Sequence, residues 1–160
     1  MLEQAREAGW TGARIARATL AGGSPPRVDF VAEQGHCRRC GRVLSQQKSQ
    51  TRVVATLAVG TFLAREIRKH CRACRSEPAA VCRQLAGLAP PGQRYGYDLL
   101  VWVGLARYHR HLQREEIRAA LDRQGIHLSS GSVSALCDRF LAALEALHWL
   151  RAPALRAQWH

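Results

Sequence analysis

Two copies of one short motif, Cys37-Arg38-Arg39-Cys40 and Cys71-Arg72-Ala73-Cys74, constrain this chain more than any other feature. A Cys-x-x-Cys turn aims both of its sulfurs at one point, and two such turns facing each other complete a tetrahedral set of four. Gly41 follows the first turn, where a tight bend needs a residue free to take positive φ. Between the turns, residues 52–57 and 62–67 read as two strands meeting at Gly60-Thr61.

Knuckle, hairpin, knuckle is the layout of a zinc ribbon. A segment this small buries too little apolar surface to fold unaided, so a structural Zn2+ on Cys37, Cys40, Cys71 and Cys74 has a clear role. Sites of this kind contribute about 10–16 kcal/mol to the folding of small peptides at neutral pH. Disulfides would require an oxidising compartment, and Glu3, Arg6 and Glu7 stand where an export signal needs an apolar core. A dithiol redox centre needs one reactive pair beside a βαβ unit, and a catalytic zinc needs an open coordination position that four thiolates do not leave. His36 and His70 flank the knuckles, either as replacements for a cysteine or as members of a basic patch. Cys137 falls on an apolar helical stripe and reads as a core residue. Cys82 has no partner in sequence and is given no role.

The chain has 160 residues, room for one ordinary domain or two small ones. Its 24 Lys+Arg against 12 Asp+Glu give a net charge of +12, which points to a polyanionic partner. No apolar run reaches membrane-spanning length, so the expectation is a cytoplasmic protein without membrane contact. Only Lys48 and Lys69 among the basic residues are lysine. Phosphate binding and a G+C-rich genome both produce that bias, so the placement of the arginines carries the argument. From His36 to Arg75 there are ten basic residues (Arg38, Arg39, Arg42, Lys48, Arg52, Arg65, Arg68, Lys69, Arg72 and Arg75) and one acid, Glu66. Allowing for the −2 of a zinc tetrathiolate leaves roughly +7 in this segment. Phosphate contact by Arg38, Arg39, Arg42, Arg68, Lys69 and Arg72 is the reading this patch favours.

Residues 2–20 read as a polar helix, ended by Gly22-Gly23-Ser24-Pro25-Pro26. A second break lies at Ala89-Pro90-Pro91-Gly92. The expected organisation is an N-terminal helix and linker over 1–30, the ribbon over 31–78, a linker over 79–94 and a helical domain over 95–160.

In the helical part, Tyr97 to Leu112 carries Leu99, Leu100, Trp102, Val103, Leu105 and Ala106 as a broad core face. Arg107, His111, Arg114 and Arg118 fall at helical spacing and align as one basic stripe if the helix continues unbroken. Residues 114–121 form a short helix with Ile117 and Leu121 inward, closed by Gln124-Gly125. Ser129-Ser130-Gly131-Ser132 then caps a helix that buries Val133, Leu136, Cys137, Phe140 and Leu144. Helix, glycine turn and capped helix make a helix-turn-helix, a reading preferred here to the alternative of a plain small bundle. Its second helix offers Ser129, Ser130, Ser132, Ser134 and Arg139 toward a groove, a set poor in the side chains that read base edges. Residues 141–150 are apolar nearly all round, which calls for a partner: a second copy, in a homodimer, or another surface.

The run Thr56-Leu57-Ala58-Val59-Gly60-Thr61-Phe62, the second knuckle, and Pro90-Pro91-Gly92-Gln93-Arg94-Tyr95-Gly96-Tyr97-Asp98-Leu99-Leu100-Val101 together resemble the N-terminal region of bacterial insertion-sequence transposases of the DDE type. Arg114-Glu115-Glu116-Ile117, Gly125-Ile126-His127-Leu128-Ser129 and Ala146-Leu147-His148 look like that region's helix-turn-helix. The resemblance covers residues 36–156 and rests on the order and spacing of these pieces. It implies that the ribbon and the helix-turn-helix bind the element's terminal repeats in double-stranded DNA. In such transposases a following RNase H-like domain holds two metal ions on a carboxylate triad. No such triad is legible here: Glu145 is the last acid, and the other acids read as solvated charges or intrahelical pairs such as Glu115 with Arg118. A nucleophile set and a phosphate-cradling glycine loop are missing as well.

The reading is an α+β chain, mostly α: a small zinc ribbon followed by a helical helix-turn-helix bundle. It serves as the DNA-binding portion of a transposase without the catalytic domain, not as an enzyme, and takes no small-molecule substrate. The alternatives are a free-standing transcriptional regulator and a zinc-stabilised protein-interaction module. An enzyme survives as a reading only if a metal proves exchangeable or an acid triad forms in space.

Overall fold

The computed structural model describes residues 24–46, 49–74 and 82–157. The helix expected over residues 2–20 lies outside the described residues, as do Lys48 and Arg75. The chain is α+β and divides into two compact units, Met1–Tyr97 and Asp98–His160.

The first unit is built on a three-stranded sheet. Its hairpin joins β3 (Gln50–Thr56) to β4 (Gly60–Ile67), antiparallel, with Val54 opposite Phe62. The hairpin is the expected one with shifted limits: β3 begins two residues earlier and ends one earlier, and β4 begins two earlier, so Gly60 and Thr61 belong to β4. Gly60, at φ +78°, takes the left-handed conformation that the turn requires. Thr56 closes the same turn by accepting the Val59 N–H at 3.1 Å. On the other side of β4 lies β1 (Arg27–Val31), parallel, with Val28 opposite Ala64. Residues 27–30, expected as the end of an N-terminal linker, are thus a strand of the sheet. Its alternation nevertheless suits a half-buried strand: Phe30 is buried and Val28 packs on the core, while Arg27, Asp29 and Val31 point the other way.

One face of the sheet carries Phe30, Val54, Phe62 and Ala64. Helix α1 (Arg83–Leu88) contributes Leu85 to the same core, flanked by Cys82 and Ala89. The stretch 79–94 is therefore not a plain linker; its described part supplies a wall of the core. Cys82 gains a role in the process. It packs in that core and its thiol, pushed up by burial, meets the Glu33 carboxylate at 3.5 Å. Residues 94–96 run along the outer edge of β3, where Ala55 donates to the Arg94 carbonyl and accepts from the Gly96 N–H, both at 2.8 Å. That covers part of an otherwise open strand edge.

The second unit is helical. It holds α2 (Tyr97–Tyr108), whose first residue falls at the boundary, then α3 (Arg114–Asp122) and α4 (Ser130–Ala157). Leu99, Val103, Ala106, Ile117, Leu121, Val133, Leu136, Cys137 and Phe140 are buried, as the periodicity predicts. The turn after α3 uses Gly125 at φ +74°, and the Ile126 N–H closes back on the Leu121 carbonyl at 3.0 Å. Ser129 caps α4, its Oγ accepting the Ser132 N–H at 3.1 Å.

Two expectations fail in this unit. Leu105 and Leu144, assigned to the core, are 43% and 46% exposed. The helix begun at Tyr97 stops at Tyr108, and His111 sits in the following turn at φ +57°. Arg107, His111, Arg114 and Arg118 therefore do not form one continuous stripe, since a positive φ breaks the 3.6-residue register between them. Helix α4 continues to Ala157. No helix among the described residues is long and apolar enough to cross a membrane.

Candidate metal centre

Each knuckle is a hydrogen-bonded turn that fixes its own sulfurs. In the first, the Cys37 N–H donates to the Arg42 carbonyl at 2.8 Å and the Gly41 N–H to the Cys37 carbonyl at 2.9 Å. Gly41, at φ +70°, is the residue that lets the chain bend there. The Arg39 N–H reaches Cys37 Sγ at 3.4 Å, and in the second knuckle the Cys74 N–H reaches Cys71 Sγ at the same distance. N–H groups aimed at a sulfur stabilise its thiolate form.

A two-strand ladder brings the knuckles together. β2 (Ser45–Gln46) leaves the first and β5 (Lys69–His70) enters the second. The two pair antiparallel with Ser45 opposite His70. The four sulfurs of Cys37, Cys40, Cys71 and Cys74 consequently lie within 4.8 Å of one another. Cys40 Sγ and Cys71 Sγ are 3.6 Å apart. A zinc ion with sulfurs at about 2.3 Å in a tetrahedron sets their mutual spacing near 3.8 Å. The donor set therefore fits a tetrahedral thiolate-binding metal.

The protonation pattern of the bare sulfurs carries the same message. The Arg42 N–H, with the Cys74 thiol next in effect, holds Cys40 down to about 7. Cys74 is pushed up to about 12, first by its bond to Cys40 and then by desolvation. An ionised Cys40 thus leaves Cys74 holding its proton, and a cation between them is what would let both be thiolates. Beneath the site the apolar support is small: Leu44 packs with the buried Cys37 and Cys71, and Cys74 lies against them. Leu44 is a supporting residue that the spacing of cysteines does not single out. His36 is exposed and His70 half-buried; neither joins the clustered donors.

The basic residues around this site separate into two groups. Arg38, Arg39 and Arg42 on the first knuckle and Arg72 on the second are exposed, and Lys69 is half-buried on β5. Arg52, Arg65 and Arg68 are only half-exposed and are engaged within the fold. Arg52 donates to the carbonyls of Pro90 and Gln93, pinning the turn after α1, and burial lowers its pKa. Arg65 bonds Ser49 at 3.1 Å and pairs with Asp29 at 3.4 Å. Arg68, expected on phosphate, is the counter-ion of Glu66, a buried carboxylate, at 3.1 Å.

In the helical unit the expected groove serines bond one another or side chains of α3. Ser129 and Ser132 share a hydroxyl contact at 2.9 Å, Ser130 donates to Glu115 at 3.2 Å, and Ser134 accepts from Arg114 at 3.3 Å. Glu115 and Arg118 form the expected intrahelical pair at 2.7 Å. Of the expected set, Arg139 stands exposed on α4. Cys137 is buried, which raises its thiol pKa.

Comparison with protein-family models, with curated proteins and with solved structures gives no match to this chain.

Proposed function

We propose that this chain is a double-stranded-DNA-binding module of the kind that forms the N-terminal region of insertion-sequence transposases. In it, a structural zinc ion on Cys37, Cys40, Cys71 and Cys74 holds an arginine-bearing surface against the phosphate backbone. One observation carries the reading: Arg38, Arg39, Arg42 and Arg72 are exposed and lie within or beside the two turns whose sulfurs converge. A metal that fixes the turns also fixes the origin of those four side chains, so less freedom is lost when they meet phosphates. Zinc is favoured over other ions because four thiolates in tetrahedral spacing are its preferred closed set, with no position for water. The site then does no chemistry of its own, and the reading assigns this chain binding without catalysis.

Salt dependence tests it. The full chain, carrying one zinc per molecule, binds duplex DNA with an affinity that falls linearly in log–log form as salt rises. Replacing Arg38, Arg39, Arg42 and Arg72 together by alanine makes that slope shallower by up to about 3.6, at roughly 0.9 per lost phosphate contact. Arg52→Met is the control: it disturbs the turn at Pro90–Gln93 and leaves the slope unchanged. A quadruple variant with the parent's slope and affinity refutes the reading. Specificity for element ends is tested by selecting fragments from around the chain's own gene, where two inverted flanking ends should be enriched.

A second reading, a protein-interaction module, is favoured by the exposure of Leu141, Leu144, Leu147, Trp149 and Leu150 on α4. Its binding would persist as salt rises, because apolar association is not screened.

A further inference from the structure

We infer that the turn His109-Arg110-His111, between α2 and α3, is a preformed phosphate contact of the helical unit, an inference that rests on the DNA-binding reading above. The serines of α4 leave this role open. Their hydroxyls are engaged within the unit, Arg114 is turned onto Ser134, and Arg118 holds Glu115 and the Leu128 carbonyl. Arg107 is likewise occupied: it donates to the Leu112 carbonyl and to Gln113 Oε1, both at 3.1 Å.

The three turn residues differ from these in every respect. His109, Arg110 and His111 are consecutive and all exposed. No acid lies between Asp98 and Glu115. Glu115 is held by Arg118 and Ser130, and Glu116 by the Gln113 N–H at 2.6 Å. The first carboxylates to follow the turn along the chain are therefore engaged in the cap and pairs of α3. An arginine between two imidazoles offers three N–H-bearing groups side by side, and even a neutral imidazole retains one donor.

The turn is also rigidly built. Its backbone is tied at both ends: the His109 and Arg110 N–H groups both reach the Leu105 carbonyl, and the Leu112 N–H reaches that of Ala106, all at 3.0 Å. Arg107 clamps the exit. Within this frame His111 sits at φ +57°, a conformation that costs a side-chain-bearing residue energy and that glycine takes freely. Glycine would hold this backbone at less cost, so the turn geometry alone does not call for a histidine. Its imidazole is exposed, next in the chain to the exposed Arg110. The partner this surface fits is a row of phosphates, read without regard to sequence.

The test uses the full zinc-loaded chain and two duplex DNAs of equal length and unrelated sequence. Arg110→Ala should weaken both duplexes equally and make the salt slope shallower by about 0.9, which is about an eightfold loss near 0.1 M salt. His111→Gly should bind more weakly while melting at the same temperature as the parent or higher, since it relieves the backbone and removes only the imidazole. If the parent binds with a steep slope and Arg110→Ala retains its slope and affinity, the inference is wrong and the DNA-binding reading stands. A loss confined to one duplex would mean base readout and would also overturn it. A parent that shows no salt-dependent DNA binding removes the reading on which the inference rests.

Discussion

The Sγ atoms of Cys40 and Cys71, 31 positions apart in the chain, lie 3.6 Å from each other. They close one edge of a four-sulfur cluster at the end of the first unit where apolar support is thinnest. The sheet is held by Phe30, Val54, Phe62, Ala64 and Leu85, whereas the knuckle end has Leu44 and the cysteines themselves. The unit therefore has two sources of order: packing at the sheet and sulfur coordination at the knuckles.

Metal removal should separate them. After chelation, the amides of Cys37 and Leu44, which bond the Arg42 and Gly35 carbonyls, should exchange freely with solvent. The amides of Ala55 and Leu63, bonded to the carbonyls of Arg94 and Pro26, should stay protected. Hydrogen exchange followed residue by residue checks this. Loss of protection at Ala55 and Leu63 as well would mean that the whole sheet depends on the metal.

Gly104 and Phe140 set the second prediction. A Cβ at Gly104 would stand 2.1 Å from the Phe140 ring, whose inner carbon has nowhere to retreat, and that ring also stacks on Tyr108 with centroids 6.2 Å apart. Helix propensity alone would make Gly104→Ala stabilising by about 0.5–1 kcal/mol. The clash reverses the sign, for a net loss of roughly 1–3 kcal/mol as in other overpacked cores. Chemical denaturation measures it. In a Phe140→Leu background the cost of Gly104→Ala should shrink, and an unchanged cost would show that the ring is not the obstacle.

The third concerns acid. Glu33 accepts the Arg83 N–H at 3.1 and 3.2 Å, capping α1. Burial alone would raise its carboxyl, but the hydrogen bond from Arg83 and the others it accepts outweigh that, and its pKa lies below 4.5. A carboxylate lowered on folding stabilises the fold fully above its unfolded value, and that contribution fades as pH falls through the folded one. Glu33→Gln should thus cost about 0.5 kcal/mol at neutral pH, the low end for a cap because Glu33 is exposed. The difference from the parent should vanish in acid. Thermal melts of both proteins across pH 2–7 would show it, and a gap that widens in acid would contradict the assignment.

Much of the metal site was legible because its information is local. Two Cys-x-x-Cys turns, Gly41 and the hairpin between them specify sulfurs, bend and return path within short stretches of chain, and the structure brings those four cysteines together. The limits of α3 and the Ser129 cap were legible for the same reason. Strand β1 and helix α1 were not. Each is short, and what makes it regular is burial against β4 and the sheet core rather than its own propensity. Leu144 misled in the opposite direction, because periodicity shows which face a residue shares but not how far along that face the neighbouring helices reach.

The same division governs the charges. Four cysteines in two matched turns and a surplus of arginine near them are matters of composition and short spacing, and were readable without a fold. Which of those arginines stay exposed was settled by packing. Arg52 is taken up by carbonyls 38 and 41 positions away and Arg65 by an aspartate 36 positions away, while Arg38, Arg39, Arg42 and Arg72 stay exposed on the knuckles. A guanidinium finds its partner through space, and distant partners of that kind exist only once strands and turns have packed.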